Sequence, residues 1–269
     1  MGFIRPANPL VYPGSTRAGF NPNHLAVGKG IVRYSGVAAG ANFANLLTAK
    51  VPTINGTITA TIDGTLGRTM TNTTASSYLS CPGVNDTSPG AVTFGGIVTP
   101  IGLAALFGVM FSNNNGSGTN ADTWFYFTSG AIVPTLFVQG GGVQAGITLT
   151  AGVPYFIVMS TQGTILNSLV LNLRTGNVLT TSSSISKTIG TPTASTYNIG
   201  GTAGASNRYM NASLAAIMYS VNNFLSIPQL QAWAAAPWDF WYPPAAPWFS
   251  ALRSPGGTVA VRPQVFVAT

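Results

Sequence analysis

The chain has 269 residues, of which 46% are hydrophobic and 6% charged, with 32 glycines and 18 prolines. This length is sufficient for one complete core, and the hydrophobic content excludes an intrinsically disordered chain. The formal net charge is +7, from 11 basic and 4 acidic residues, yet the basic residues are scattered singly. Direct nucleic-acid binding, which needs a basic patch, is therefore not expected. The positive charge suits an acidic protein partner or a solvated face.

The first predicted unit is an N-terminal arm, residues 1–24. Its apolar residues Phe3, Ile4, Leu10 and Val11 are separated by prolines, so the arm forms neither a core of its own nor the unbroken apolar segment of a signal peptide. We expect this arm to dock on another surface and predict no secretion signal.

A long uncharged stretch, residues 91–111, raises two alternatives. Its length is sufficient for one membrane-spanning helix. Five glycines and prolines interrupt it, however, and no close basic residue flanks it to set an orientation. We therefore favour two buried strands joined at Thr99-Pro100 and expect no membrane association.

The clearest strands lie in the second half of the chain. Residues 153–161 and 167–175 flank a short turn with Gly163 and predict an antiparallel hairpin. In the second of these strands, leucines at 169, 171 and 173 alternate with a mostly polar set, which predicts one buried and one solvated face. Further strands are predicted near residues 123, 135, 195 and 210. This spacing indicates an all-β antiparallel sandwich or jelly roll.

One short helix is predicted after the last long strand. Ser226 with Gln229 forms a capping box, Pro228 is tolerated in a first turn, and the helix should run from Ile227 to about Ala235. The aromatic residues just beyond it are expected to fix the chain to the sandwich, since each buries a large area.

The last predicted unit is a C-terminal extension, residues 244–269, which follows a sandwich domain at 25–243. It is apolar and broken by prolines, and its end alternates as an edge strand does. Both termini should therefore dock, either on their own sandwich or on neighbouring chains, and the assembly hypothesis requires that a substantial part docks on neighbours. The candidate assembly residues are Phe3, Ile4, Leu10, Val11, Trp248, Phe249, Leu252, Val265, Phe266 and Val267.

Catalytic and metal-binding residues are scarce. Glycan hydrolysis needs two facing carboxylates, and the only acidic residues are Asp63, Asp86, Asp122 and Asp239, with no close pair in sequence. The sole histidine, His24, is expected to pack or cap rather than to act as a base. No motif for a cofactor or a strong metal site is present. We predict no enzymatic activity and no cofactor.

Aromatic residues of one strand offer a different chemistry. In the segment from Asp122 to Phe127, Trp124 and Tyr126 share one face while Phe125 faces the other. Such a pair can stack on sugar rings, although core packing is the more usual role of these residues.

The closing segment resembles a known family. The strand around residues 213–222, Leu225-Ser226 opening the helix, and Pro237-Trp238 followed by aromatics and prolines resemble the end of LamG-like, concanavalin A-like jelly-roll domains of tailed-phage proteins. Residues 20–32 and 76–83 resemble earlier parts of the same pattern. The resemblance implies a concanavalin A-like jelly roll in a phage protein.

From this resemblance we expect a virion structural protein, made in the host cytoplasm. The main expectation is a capsid decoration protein that assembles with other virion proteins and with itself through the terminal arms. The alternative is a tail or fibre module that binds host-surface glycans.

Overall fold

The computed structural model describes residues 21, 23–27, 30–38, 43–82, 90–103, 108–112, 123–128, 130–138, 141–185, 196–203 and 207–241. All of the candidate assembly residues in the two termini lie outside these ranges, and so do Asp86 and Asp122. The three predicted units therefore stay a prediction.

The described chain contains fifteen strands and one helix. Their bounds are β1 Ile31–Val37, β2 Thr53–Asn55, β3 Thr59–Asp63, β4 Gly67–Asn72, β5 Tyr78–Pro82, β6 Ala91–Pro100, β7 Gly108–Ser112, β8 Thr123–Phe127, β9 Pro134–Val138, β10 Gly141–Gln144, β11 Tyr155–Gln162, β12 Ile165–Asn172, β13 Val178–Ser184, β14 Thr196–Ile199, β15 Ala212–Val221 and α1 Ile227–Ala234.

These strands form two sheets. The back sheet has the order β13-β12-β11-β6-β15-β4-β3, with β1 also paired to β15, and the front sheet has the order β10-β9-β8-β7-β14-β5-β2. Every described strand pair is antiparallel, as in β6 with β11 and β15. The predicted all-β antiparallel sandwich with one short helix is confirmed.

An inner core lies between the sheets and is built on aromatic rings. Phe94 of β6 stacks on Tyr219 of β15 at 4.7 Å between ring centroids, and its edge meets Phe111 of β7 at 5.2 Å. Each of these side chains is fully buried. Because alternate residues of a strand face opposite sides, β8 contributes Phe125 and Phe127 to this core and β11 contributes Tyr155, Ile157 and Met159.

Within the stretch at 91–111, residues 91–100 and 108–111 are strand rather than spanning helix, as predicted. The predicted junction at Thr99-Pro100 is wrong, because both residues belong to β6, which ends at Pro100, and β7 begins only at Gly108. Among the described residues, no helix combines the length and the apolar character that crossing a bilayer requires.

The hairpin of β11 and β12 is confirmed, with Gly163 in its turn at a positive φ of 56°. The predicted one-sided burial is wrong. Leu166 and Val170 of β12 face the inner core, while Leu169 and Leu171 are equally buried on the opposite face. The second face is buried because the helix and the segment after it pack on the outside of the back sheet.

This covering, which we call the outer layer, consists of α1, residues 238–241 and residues 24–27. Trp233 of α1 lies against Phe156 of β11 at 5.1 Å between ring centroids, and Trp241 lies 6.0 Å from Trp233. Gly95 of β6 leaves the space that Trp233 fills, because a Cβ there would lie 2.9 Å from Cη2 of the indole. The aromatic residues after the helix therefore close a second core.

Buried polar side chains attach the loop between β15 and α1 to the back sheet. The Thr93 hydroxyl donates to the Asn223 carbonyl at 2.8 Å, and the Ser160 hydroxyl accepts from the Leu225 N–H at 2.8 Å. Asn167 donates its amide N–H to the Leu225 carbonyl at 2.9 Å. These bonds satisfy loop groups that burial would otherwise leave unpaired, and they fix where α1 begins.

The helix has the predicted bounds to within one residue. The Ser226 N–H donates to the Gln229 side-chain oxygen at 2.9 Å, which is the reciprocal half of the predicted capping box. Leu230, Trp233 and Ala234 form its buried face.

Candidate functional site

The candidate site is the outer face of the front sheet, where the two predicted glycan-contacting residues lie on β8. Trp124 has Ser112 of β7 opposite it on one side and Phe137 of β9 on the other. Tyr126 lies between Val109 and Thr135. The strand pairing thus places both residues in rows that cross several strands.

Tyr126 is a buried member of this face. Its relative exposure is 6%, and it packs with Val109 and Phe137 in a cluster separate from the inner core. Burial also raises the pKa of its phenol. Phe125 lies in the inner core, so β8 alternates as its sequence indicates. The Trp124 side chain lies outside the described part of the chain, and stacking of sugars on Trp124 and Tyr126 stays a prediction.

Polar residues continue the row that contains Trp124. Asn198 of β14 pairs in register with Ser112 on one side and with Ser80 of β5 on the other. Ser112 and Asn198 are both buried. Within the described residues, the Ser112 hydroxyl has no hydrogen-bond partner. Hydroxyl and amide groups beside an aromatic position are the combination that orients a polar ring on a protein surface.

Sequence reasoning missed this polar half of the face. Ser112 and Asn198 are 86 positions apart in the chain and become neighbours only through the pairing of β7 with β14. The available signal was the alternation of polar and apolar residues in the strand that begins near residue 195. That alternation identifies an outward position but does not identify its neighbours.

The described carboxylates have local roles. One oxygen of Asp63 accepts from the Thr65 N–H at 2.7 Å and from the Leu66 N–H at 2.8 Å, as expected of a turn aspartate. Asp239 follows α1, and burial raises the pKa of its carboxyl. Asp86 and Asp122 lie outside the described residues.

His24 is a packed residue, as expected. Its Nδ1 accepts from the Ala26 N–H at 3.1 Å, and its ring meets the edges of Trp233 and Phe240 at 4.9 and 5.5 Å between centroids. Burial lowers its pKa from 6.5 to about 4. The neutral imidazole therefore serves the outer layer as an acceptor and an aromatic surface.

The part of the chain that the structure describes offers neither a group of metal-binding side chains nor a reactive thiol. No group of three or more histidine, cysteine or acidic residues comes together there. Cys81 is buried in the inner core, and burial raises its pKa to about 12. A thiol with such a pKa is protonated at neutral pH and is a weak nucleophile.

No protein-family model matches the chain, and a search of curated protein sequences found no similar one. Solved structures do share its fold. Domain 4 of an extracellular GH43 arabinanase from Geobacillus stearothermophilus, solved with arabinotriose, is similar with a TM-score of 0.55 and 10% identity. The match covers 76% of this chain and 98% of that domain.

Two further structures are similar over part of their length. The enzymatically active domain of tailspike protein 2 from bacteriophage CBA120 matches 71% of this chain, at 16% identity and a TM-score of 0.47. Trypanosoma rangeli sialidase in complex with the inhibitor DANA matches 76%, at 11% identity and a TM-score of 0.48. This chain covers 31% of that tailspike chain and 32% of that sialidase chain. The comparisons establish a jelly-roll type β-sandwich.

The prediction that the chain is not an enzyme is corrected by these comparisons. A domain of an arabinanase shares its fold. The prediction relied on the spacing of aspartates along the sequence, whereas a sandwich brings distant strands together. Carboxylates far apart in sequence can therefore face one bond, and their spacing does not decide the question.

Proposed function

We propose that this chain is a glycan-binding β-sandwich module of a phage tail or fibre protein. The observation that carries the proposal is the similarity to the arabinanase domain solved with arabinotriose, which extends over 98% of that domain. The similarity in fold concerns an entire module rather than a fragment of one.

The outer face of the front sheet supports the proposal chemically. It combines aromatic positions on β8 with hydroxyl and amide groups on β7 and β14. Because Ser112 and Asn198 are 0% and 1% exposed in this structure, a sugar reaches these polar groups only if the residues that cover them move aside. Sugars are bound by such sets, in which a ring stacks on an aromatic surface and polar groups fix its orientation. The net charge of +7 favours anionic polysaccharides among the candidates.

The phage context rests on the resemblance of the closing segment to LamG-like domains of tailed-phage proteins. Within that context, the fold similarity supports the tail or fibre alternative over capsid decoration, because a tail or fibre meets the host surface. Assembly with itself and with other virion proteins through the terminal arms completes the proposal.

Glycan binding is tested with the full-length chain on an array of plant and bacterial polysaccharides, followed by calorimetry with arabinotriose and with each positive glycan. We expect saturable binding that weakens about tenfold in Trp124→Ala, equivalent to about 1.4 kcal/mol. Ile101→Ala is the matched control, because it removes an exposed apolar side chain on the loop after β6 of the back sheet.

A reducing-end assay on the same glycans separates binding from cleavage. Cleavage would assign the chain to the glycosidases, and replacing each of the four aspartates by asparagine would then locate the catalytic pair. The absence of binding to every glycan, or equal weakening by Trp124→Ala and Ile101→Ala, would contradict the proposed site.

A further inference from the structure

The strand β3 forms an open edge of the back sheet. Within the described chain it pairs only with β4, so the backbone groups along its other side have no strand partner. Residues 59–62 are all exposed. Ile62 has a relative exposure of 83%, the highest among the exposed large apolar side chains of the described residues. An open edge of this kind is a template for another strand.

This edge lacks the basic and proline residues that usually prevent an exposed edge strand from pairing with a strand of another molecule. Residues 57–63 contain no lysine, arginine or proline, although the chain carries a net charge of +7. Their single charge belongs to Asp63, whose carboxylate is engaged by the turn that follows β3. Two copies could therefore meet here without opposing their basic residues.

A ladder of hydroxyl groups holds the edge strand in an extended form. Thr61 of β3 bonds both Thr69 and Thr71 of β4, at 2.8 and 2.7 Å between oxygens, and Thr71 bonds Ser213 of β15 at 2.7 Å. At the start of the strand, the Thr57 N–H donates to the Ser77 hydroxyl at 2.8 Å. A strand fixed in this way loses little conformational freedom when it pairs, which lowers the cost of association.

The two faces of β3 differ in polarity. Ala60 pairs with Met70, a member of the inner core, so Ala60 and Ile62 face the inner side of the back sheet. Residues 56–58 connect β3 to β2, the last strand of the front sheet, where Ile54 has a relative exposure of 51%. This side of the sandwich therefore presents apolar side chains that the chain itself leaves uncovered.

We propose that the open edge of β3 pairs with β3 of a second copy of this chain, in antiparallel register about a two-fold axis at Thr61. This register aligns all five residues of each strand. Ile62 lies opposite Ala60 of the partner copy, so a large side chain meets a small one. Asp63 lies opposite the partner's Thr59, and the paired back sheets become continuous.

Pairing of a five-residue edge forms a small interface, and interfaces below about 1,200 Å² are typical of weak association. The dimer is therefore expected to depend on concentration. It is independent of the proposed glycan face, which lies on the other sheet, and it uses none of the terminal residues.

The dimer is tested by sedimentation velocity of the full-length chain over a range of concentrations. We expect Ile62→Lys to weaken association about tenfold or more, because it places a charge against the partner's Ala60. Leu179→Lys is the matched control, since Leu179 is 39% exposed on β13, the strand at the other end of the back sheet. A result in which both variants associate as the unaltered chain does would overturn the proposal.

Oxidative cross-linking tests the register itself. Directly opposed residues of an antiparallel pair have Cα atoms about 4.5–5.5 Å apart, within the range of a disulfide. We expect Thr61→Cys to form a covalent dimer and Ser182→Cys on β13 to form none. The native Cys81 does not compete, because it is only 3% exposed. Weakening by Ile62→Lys without cross-linking by Thr61→Cys would mean that another strand occupies the edge, and self-pairing would be wrong.

Discussion

At the scale of single residues, His24 shows how burial turns a titratable side chain into a structural one. Its Nδ1 accepts a hydrogen bond from the Ala26 N–H and so stabilises the turn at residues 24–27. Its ring packs with those of Trp233 and Phe240 in an aromatic cluster. A proton on Nδ1 would end the bond from the Ala26 N–H and would place a charge among apolar rings. The sequence alone shows a lone histidine, and its role follows from these neighbours.

The stability of the protein should therefore fall as the pH decreases from about 6.5 to about 4. His24 binds a proton in the unfolded chain at its ordinary pKa of 6.5 but resists one when folded, because burial lowers its pKa to about 4. The unfolded state binds more protons in that window, so the free energy of unfolding decreases there. The expected loss is about 2–3 kcal/mol.

Urea denaturation at pH 7 and pH 4.5 measures this loss, with His24→Asn as the control. Asparagine keeps a side-chain acceptor that can reach the N–H two residues later, but it does not titrate. The variant should lose distinctly less stability between these pH values. A loss equal to that of the unaltered chain would assign the effect to other groups, such as the aspartates.

At the scale of elements, the contact between β6 and α1 explains why this β-rich chain ends in a helix followed by tryptophans. The outer face of the back sheet is apolar along β11 and β12, and α1 with residues 238–241 covers it. Consecutive glycines in β6 have different roles here. A Cβ at Gly95 would lie 2.9 Å from Trp233, whereas at Gly96 the nearest atom, the Ala216 carbonyl oxygen, lies 3.4 Å away.

Gly95→Ala should destabilise the protein by about 1–3 kcal/mol, because the added methyl forces Trp233 out of its site and overpacks the outer layer. Gly96→Ala is the neighbouring control and should change stability by less. Denaturant midpoints followed by tryptophan fluorescence compare the two variants. Equal destabilisation would show that the strand backbone, rather than the contact with Trp233, sets the requirement for glycine.

At the scale of the whole molecule, the described residues account for a complete sandwich with two cores. The Asn21 N–H donates to the Phe240 carbonyl of the outer layer at 3.0 Å. The beginning and the end of the described chain therefore meet on one side of the sandwich. The assembly role of the two terminal segments stays a prediction.

Deleting residues 250–269 should leave the sandwich folded and should reduce assembly into larger particles. Far-ultraviolet circular dichroism and the unfolding midpoint are expected to match those of the full chain. Sedimentation should show loss of higher-order species while the weak pairing through β3 persists. A truncated chain that assembles fully, or one that fails to fold, would contradict the assembly role of this segment.

The sequence by itself determined the strands with strong alternation, the turn at Gly163 and the bounds of α1, because these depend on neighbours close in the chain. It did not identify the short strands β2 and β3, whose threonine-rich residues give little hydrophobic pattern. Only the tertiary structure decided which faces were covered, since the second buried face of β12 depends on a helix that begins 55 residues after β12 ends. It also brought Ser112 and Asn198 together beside Trp124. Contacts of this kind arise because strands far apart in the sequence pair with each other. The local pattern of residues in one strand does not identify the strand with which it pairs.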